Sequence, residues 1–283
     1  MSVQSTAEPR AAAREKVMCR SNVKLGFVVA IMVGIAAPFV VYPVFLMKVL
    51  CFGLFACAFN LLIGYAGLLS FGHAAFFGSA AYVTGHALKV WGLPPELGIL
   101  LGTLTSILLG SAFGLVAIRR QGIYFAMITL ALSQLIYFLA LQLPFTHGED
   151  GIQEIPRGYL FGVLDLRNTY AMYYTVLAIF IFGFGVVWRT VHSPFGHALR
   201  GIRDNEARAI SLGYRAERFK LVVFVLSAGL SGLAGATKSL VFQLATLTDV
   251  TWQMSGEVVL MTLLGGDGYA YGSGGRSGSS ACA

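Results

Sequence analysis

Charge is what this 283-residue chain has least of. Only 12% of its residues are Asp, Glu, Lys or Arg, against 57% that are apolar, which excludes an ordinary water-soluble domain. Cysteine is scarce as well. Cys19, Cys51, Cys57 and Cys282 show no metal-ligand spacing, and two of them sit inside an apolar run, so they are expected to pack rather than to form a site. No Gly-Lys pair occurs anywhere, so the chain has no P-loop with which to hydrolyse ATP. A paired-His metal motif and a Gly-x-Ser-x-Gly elbow are missing too, leaving an enzyme reading without support: no catalytic residue and no metal ligand is assigned. The formal charge of +7 is interspersed with acids and forms no lone basic patch, so no nucleic-acid partner is implied.

What the chain does have is apolar length. Forty consecutive residues between Lys48 and Lys89 carry no charge, about twice what one helix needs to cross a hydrocarbon core. That run must cross twice, or cross and re-enter. Further spans are expected at Leu25–Met47, Leu97–Ile118, Gln121–Leu143, Asn168–Trp188 and Leu221 to about Leu247. The first apolar region is longer than a signal-peptide core and is expected to be retained. The fold class is all-α: a polytopic transmembrane helical bundle of about seven spans embedded in a lipid bilayer.

Lys and Arg in the connections orient the bundle. Tail 1–24 carries five, the Arg119–Arg120 turn two and loop 189–220 seven, whereas the opposite side has Lys48, Lys89, Arg157 and Arg167. The positive-inside rule then places the amino terminus and loop 189–220 in the cytoplasm, provided that the 49–88 run crosses an even number of times.

Small residues mark where helices approach. Gly98, Gly102, Ser106, Gly110 and Gly114 recur every four residues, and Ala228, Gly232 and Ala236 repeat the pattern in the last span beside Ser227, Ser231 and Gly235. Polar residues inside spans point to a pathway, because each is costly unless it faces protein or water. Asn60, Ser70, His73 and Gln134 are the candidates here, although an interhelical hydrogen bond explains Asn60 and His73 equally well. The glycine-rich stretch from Asn60 to Phe77 is suited to a broken or re-entrant helix. Lys238 is expected to snorkel or to pair with Asp249.

The most distinctive segment is SPFGHALRGIRDNEARAISLGYRAERFK, residues 193–220. Ser193-Pro194 is a helix start and Gly213 a stop. Between them Leu199, Ile202, Ala209 and Ile210 share one face, with Arg200, Arg203, Asp204, Arg208 and Ser211 elsewhere. Glu206 interrupts the apolar face and therefore meets something. An amphipathic cytoplasmic helix with an acid on its apolar side suits a partner interface, the alternative being a solvated loop whose arginines only set topology.

Across roughly 49–266, NLLIGYAGLLSFGHAAFFGSAAYV, GIYFAMITLALSQ, the loop above, KLVVFVLSAGLSGLAGA and SGEVVLMTLLGG together resemble the permease subunits of branched-chain amino acid ABC importers. The resemblance implies an inner-membrane, ATP-driven importer of branched-chain amino acids. Its implied partners are a second permease, two cytoplasmic ATP-binding subunits and a substrate-binding protein. ATP is used by those partner subunits, and no cofactor is bound by this chain. Loop 189–220 is similar to the Glu-Ala-Ala loop that docks on the ATPase. Residue by residue this implies a coupling role for Glu206, Ala207 and Gly213, with Arg203 and Asn205 beside them; Arg208 departs from the motif's second alanine. A stand-alone transporter or channel, or a non-transporting permease that still binds partners, are the alternatives. Domain organisation is thus expected as a basic tail (1–24), a permease domain (25–266) and a Gly/Ser-rich tail (267–283). In that last stretch DGYAYGSGGRSGSSACA replaces the family's further apolar spans, as expected of a frame shift near Gly266 or of a short variant.

Overall fold

The computed structural model describes residues 41–120, 122–146, 148, 150–160 and 164–264, with positions 32, 34, 35 and 37–39. Tail 1–24, most of the expected span 25–47, Cys19, Cys282 and tail 267–283 lie outside the described residues. Two units are separated, one made of both chain ends and the other spanning Pro43–Asp267. The first contributes a short 3-10 turn, Ala37–Phe39, and everything below concerns the second.

The chain is an all-α polytopic bundle, with only four two-residue strands among the described residues. Helix α1 (Pro43–Asn60) runs into a π-turn, Leu61–Ala66. It starts at Pro43, where proline's missing donor is harmless, and not after Lys48 as the charge pattern suggests; Lys48 is an exposed residue within it. Helices α2 (His73–Lys89), α3 (Pro95–Ala117), α4 (Ile123–Gln142) and α5 (Thr169–Val191) follow. Two short helices, α6 (Pro194–Asp204) and α7 (Glu206–Ser211), precede the longest, α8 (Ala216–Phe242), and the described chain closes with α9 (Trp252–Leu264). The expected final span to Leu247 stops earlier because Gln243 turns left-handed at φ 55° and ends α8.

Among the described residues, five segments are long and apolar enough to cross a membrane: Pro43–Ala66, α3, α4, α5 and α8. The 49–88 run does not form two such helices. After the π-turn, Gly67 takes a left-handed conformation, residues 67–72 are non-helical, and α2 begins only at His73. A 17-residue helix is about 25 Å long, so the second passage is part extended chain and part helix. This is the broken helix that the Asn60–Phe77 composition suggests.

α8 is the axis of the bundle, buried from Val223 to Val241 on most of its circumference and packed by α1, α2 and α3. The two small-residue stripes meet each other. A Cβ on Gly110 would lie 2.5 Å from the Ala228 Cβ, and one on Gly232 would lie 2.1 Å from the Ser106 Oγ. Such approach is possible only because these positions project no bulk. Strands β1 (Ile152–Gln153), β2 (Tyr159–Leu160), β3 (Leu164–Asp165) and β4 (Leu244–Ala245) lie at one end. β1 pairs antiparallel with β4, Ile152 opposite Ala245, and β2 with β3. This strand end lies opposite the basic end formed by α6 and α7.

Candidate functional site

At the basic end, Ser193 caps α6 by accepting the Gly196 N–H at 3.4 Å, with Pro194 in the first turn. A side chain at Gly196 would strike the Val191 and Thr190 carbonyls, which is why the turn into α6 carries glycine. The single amphipathic helix expected from 193 to 213 is two. Asn205 is extended (φ −155°, ψ 95°), and its side chain caps α7 by accepting the Arg208 N–H at 3.0 Å. The break rotates α7, so Leu199, Ile202 and Ala209 are buried as expected, whereas Ile210 is 57% exposed. Gly213, at φ 89°, ends α7.

Glu206 does meet something, and it belongs to the same chain: Lys220 Nζ lies 2.7 Å from its carboxylate. The pair fastens α7 to the first turn of α8. Arginines of α6 do more than set topology. A π-turn displaces carbonyls from regular helical pairing, and Arg203 donates to one of them, that of Gly64, while its side chain packs on Gly67. Arg200 lies over the Tyr65 ring at 4.9 Å and reaches its hydroxyl at 3.4 Å. Of the residues assigned to coupling, Arg203 thus grips the end of α1, Asn205 is a cap and Glu206 an ion-pair partner. Ala207 and Gly213 are exposed, beside the uncovered Ile210, Leu212 and Tyr214.

Inside the bundle, α2 starts among buried residues, and side-chain hydroxyls accept its leading amides. Ser70 accepts the Gly72 N–H at 3.2 Å, Thr129 of α4 the Phe71 N–H at 3.2 Å, and Ser255 of α9 the Ala74 N–H at 3.0 Å. His73, fully buried, contacts Ser227 through Nε2 at 2.9 Å, and Ser227 in turn donates to the Ala58 carbonyl. That hydroxyl's one hydrogen being committed, Nε2 is the donor. Phe59, Phe76 and Phe224 meet the imidazole edge-on. Of the four candidate pathway residues, the structure brings Ser70 and His73 together at this break. Asn60 stands exposed at the end of α1, and Gln134 is half-buried on α4 beside the buried Ser133.

Thr129, Ser227 and Ser255 are the contributors that sequence reasoning missed. Hydroxyls bond locally to their own helix as readily as across helices, so only the packing identifies those three. At the strand end the Lys238–Asp249 pair forms at 2.5 Å, with Lys238 8% and Asp249 5% exposed. Arg157, one of the four cations used to assign this side, donates to the Leu240 and Val241 carbonyls at the end of α8. Cys51 is buried in a core cluster and Cys57 half-buried, neither in a disulfide.

The family model described as the permease component of branched-chain amino acid transport systems matches residues 42–274. The chain is 27% identical over 232 residues to the high-affinity branched-chain amino acid transport system permease protein LivM of Salmonella typhimurium, and 26% identical to LivM of Escherichia coli. Each match covers 74% of this chain and 55% of the relative. The ribose import permease protein RbsC of Bacillus subtilis is 29% identical over 224 residues, covering 74% of this chain and 65% of RbsC. The chain thus spans about half the length of the LivM relatives it matches. No solved structure matches.

Proposed function

This chain belongs to the permease-component family of branched-chain amino acid transport systems, and from that premise we propose that it is one of two permeases in an ATP-driven importer of branched-chain amino acids. Two cytoplasmic ATP-binding subunits hydrolyse the nucleotide, and a substrate-binding protein delivers cargo at the strand end. The basic end faces the cytoplasm of a bacterial inner membrane, consistent with the seven Lys and Arg of loop 189–220.

The observation that carries this reading is the linkage between α6–α7 and the broken passage. Ala207, Ile210, Leu212 and Tyr214 form an uncovered, largely apolar patch beside α7, suited to a groove on an ATPase. Behind that patch Arg203 and Arg200 hold the π-turn that leads into residues 67–72 and α2. A displacement of the docked loop is thereby transmitted to the half-helix that starts inside the membrane. Asn60, Ser70, His73 and Gln134 remain candidates for the pathway itself, and Arg203, Asn205, Glu206, Ala207 and Gly213 for coupling. Because the chain is similar to a ribose permease as well as to LivM, the fold alone does not select the cargo. The family description and the apolar walls of the bundle favour aliphatic amino acids.

The test is co-purification of the chain with its ATPases and second permease, followed by ATP-driven uptake of labelled leucine and ribose in proteoliposomes. Leu212→Asp in the exposed patch should abolish ATPase retention and uptake while leaving elution of the permease unchanged. Full ATPase retention by that variant would refute the docking surface, uptake of ribose in preference to leucine would refute the cargo, and uptake without any ATPase would point to a stand-alone transporter.

A further inference from the structure

Glu257 is a carboxylate in the wrong place for a lipid-facing residue. It lies on the exposed side of α9. That helix starts well inside the bundle, with Ser255 bonded to the start of α2 and Met254 and Val258 packed among Leu54, Phe55 and Phe59 of α1. Phe52 of α1 borders the same cleft as Glu257. Phe52 lies well within the 24-residue span Pro43–Ala66, and Thr248 and Asp249 line the cleft from the strand end, so the cleft beside Glu257 runs from the strand end into the span. No hydrogen bond or ion pair reaches it among the described residues. An ionisable group within a span almost always faces protein or a watered path.

The cleft has a volume of about 490 Å³, within the range of roughly 300–1,000 Å³ usual for small-molecule sites. Phe52 and Met254 give it apolar walls, and Thr251 and Gln253 line it with the first turn of α9. Its other carboxylate, Asp249, is bound to Lys238, so the two cancel and Glu257 leaves one uncompensated negative charge. A divalent cation would want six or more oxygens and excess negative charge. One carboxylate matches one ammonium group. The N-terminal end of α9, carrying a partial positive charge, suits the carboxylate of the same molecule, as at discontinuous helices elsewhere.

We propose that this cleft is a substrate site for a zwitterionic aliphatic amino acid, with Glu257 receiving the ammonium group, the start of α9 facing the carboxylate, and Phe52 and Met254 accommodating the side chain. The site rests on the import reading above and makes it specific. It is open on the α9 face, where the second permease would complete the path.

The experiment compares wild type, Glu257→Gln and Glu257→Asp in the full complex with its ATPases, second permease and binding protein, measuring ATP-driven leucine uptake. Loss of one charge-assisted contact should lower uptake at low leucine by about tenfold, acting on KM, with Glu257→Asp retaining part of it and all three assembling equally. As a second readout, Glu257→Cys in a background lacking the four native cysteines should react with a water-soluble cationic thiol reagent, and leucine should slow that reaction. Wild-type uptake by Glu257→Gln, or labelling indifferent to leucine, overturns the site while leaving the import reading intact. Failure of Glu257→Gln to retain the second permease identifies the carboxylate as a subunit contact and equally overturns the site. Absence of leucine uptake by the wild-type complex sinks the import reading itself, and the site with it.

Discussion

Gly235→Ala tests the packing on which the broken passage depends. A Cβ at position 235 would lie 2.0 Å from the Phe77 carbonyl oxygen, 2.8 Å from its carbon and 3.0 Å from the Phe77 Cα. All three are backbone atoms of α2, so no rotamer change relieves the clash. An ordinary carbon–oxygen contact is about 3.3 Å, and the two helices must therefore part locally by about 1.3 Å. A gap of even 0.5–1 Å forfeits roughly a quarter to a half of each dispersion contact, and Phe77 and Ala80 lose theirs to α8 together. Overpacking ordinarily costs about 1–3 kcal/mol, and a backbone-on-backbone clash belongs at the upper end, about 3 kcal/mol. At about 2–4 °C per kcal/mol for a chain of this size, the temperature at which half the detergent-solubilised protein loses its monodisperse elution should fall by about 6–12 °C. Gly185→Ala on α5 is the control, since its Cβ meets nothing within 4 Å, and helix propensity should leave it unchanged or slightly more stable. Equal midpoints for the two variants would refute the assigned contact between α2 and α8.

Two further outcomes follow from named contacts. Lys238→Met strands the buried Asp249 carboxylate and should destabilise by about 3–5 kcal/mol, whereas Lys238→Met with Asp249→Leu should recover most of that; thermal midpoints of both variants decide it. Arg203→Met removes the donor to the Gly64 carbonyl but none of the exposed patch. It should therefore retain the ATPases while reducing transported leucine per ATP hydrolysed, and a wild-type ratio would show that the π-turn does not carry the motion.

Much of the architecture was legible in the residues, because a bilayer imposes few solutions. Length and apolarity located α3, α4 and α5 within a few residues, since a lipid-exposed run of that length satisfies its own backbone by becoming a helix. The glycine stripe on α3 announced a close neighbour, and the stripe beginning at Ala228 was that neighbour, because only small residues allow such approach. Of the two alternatives left open for Lys238, snorkelling or pairing with Asp249, the folded chain forms the pair.

Other features were set only by the folded molecule. The single amphipathic helix expected from 193 to 213 became two because Asn205 can either continue a helix or cap the next one, and the packing of Leu199, Ile202 and Ala209 against the bundle selects the cap. Glu206 found its partner in Lys220, fourteen residues away, through a turn whose path no local pattern specifies. The amides at the head of α2 found Thr129 on α4 and Ser255 on α9, 58 and 181 residues distant from their partners. Sequence by itself determined that this chain spans a bilayer as helices and which helix faces can approach closely, because those follow from local composition and a short repeat. Tertiary structure alone decided where the helices break, which hydroxyls close the breaks and that Glu257 shares a cleft with Phe52 and Asp249, because each depends on groups brought together across the bundle.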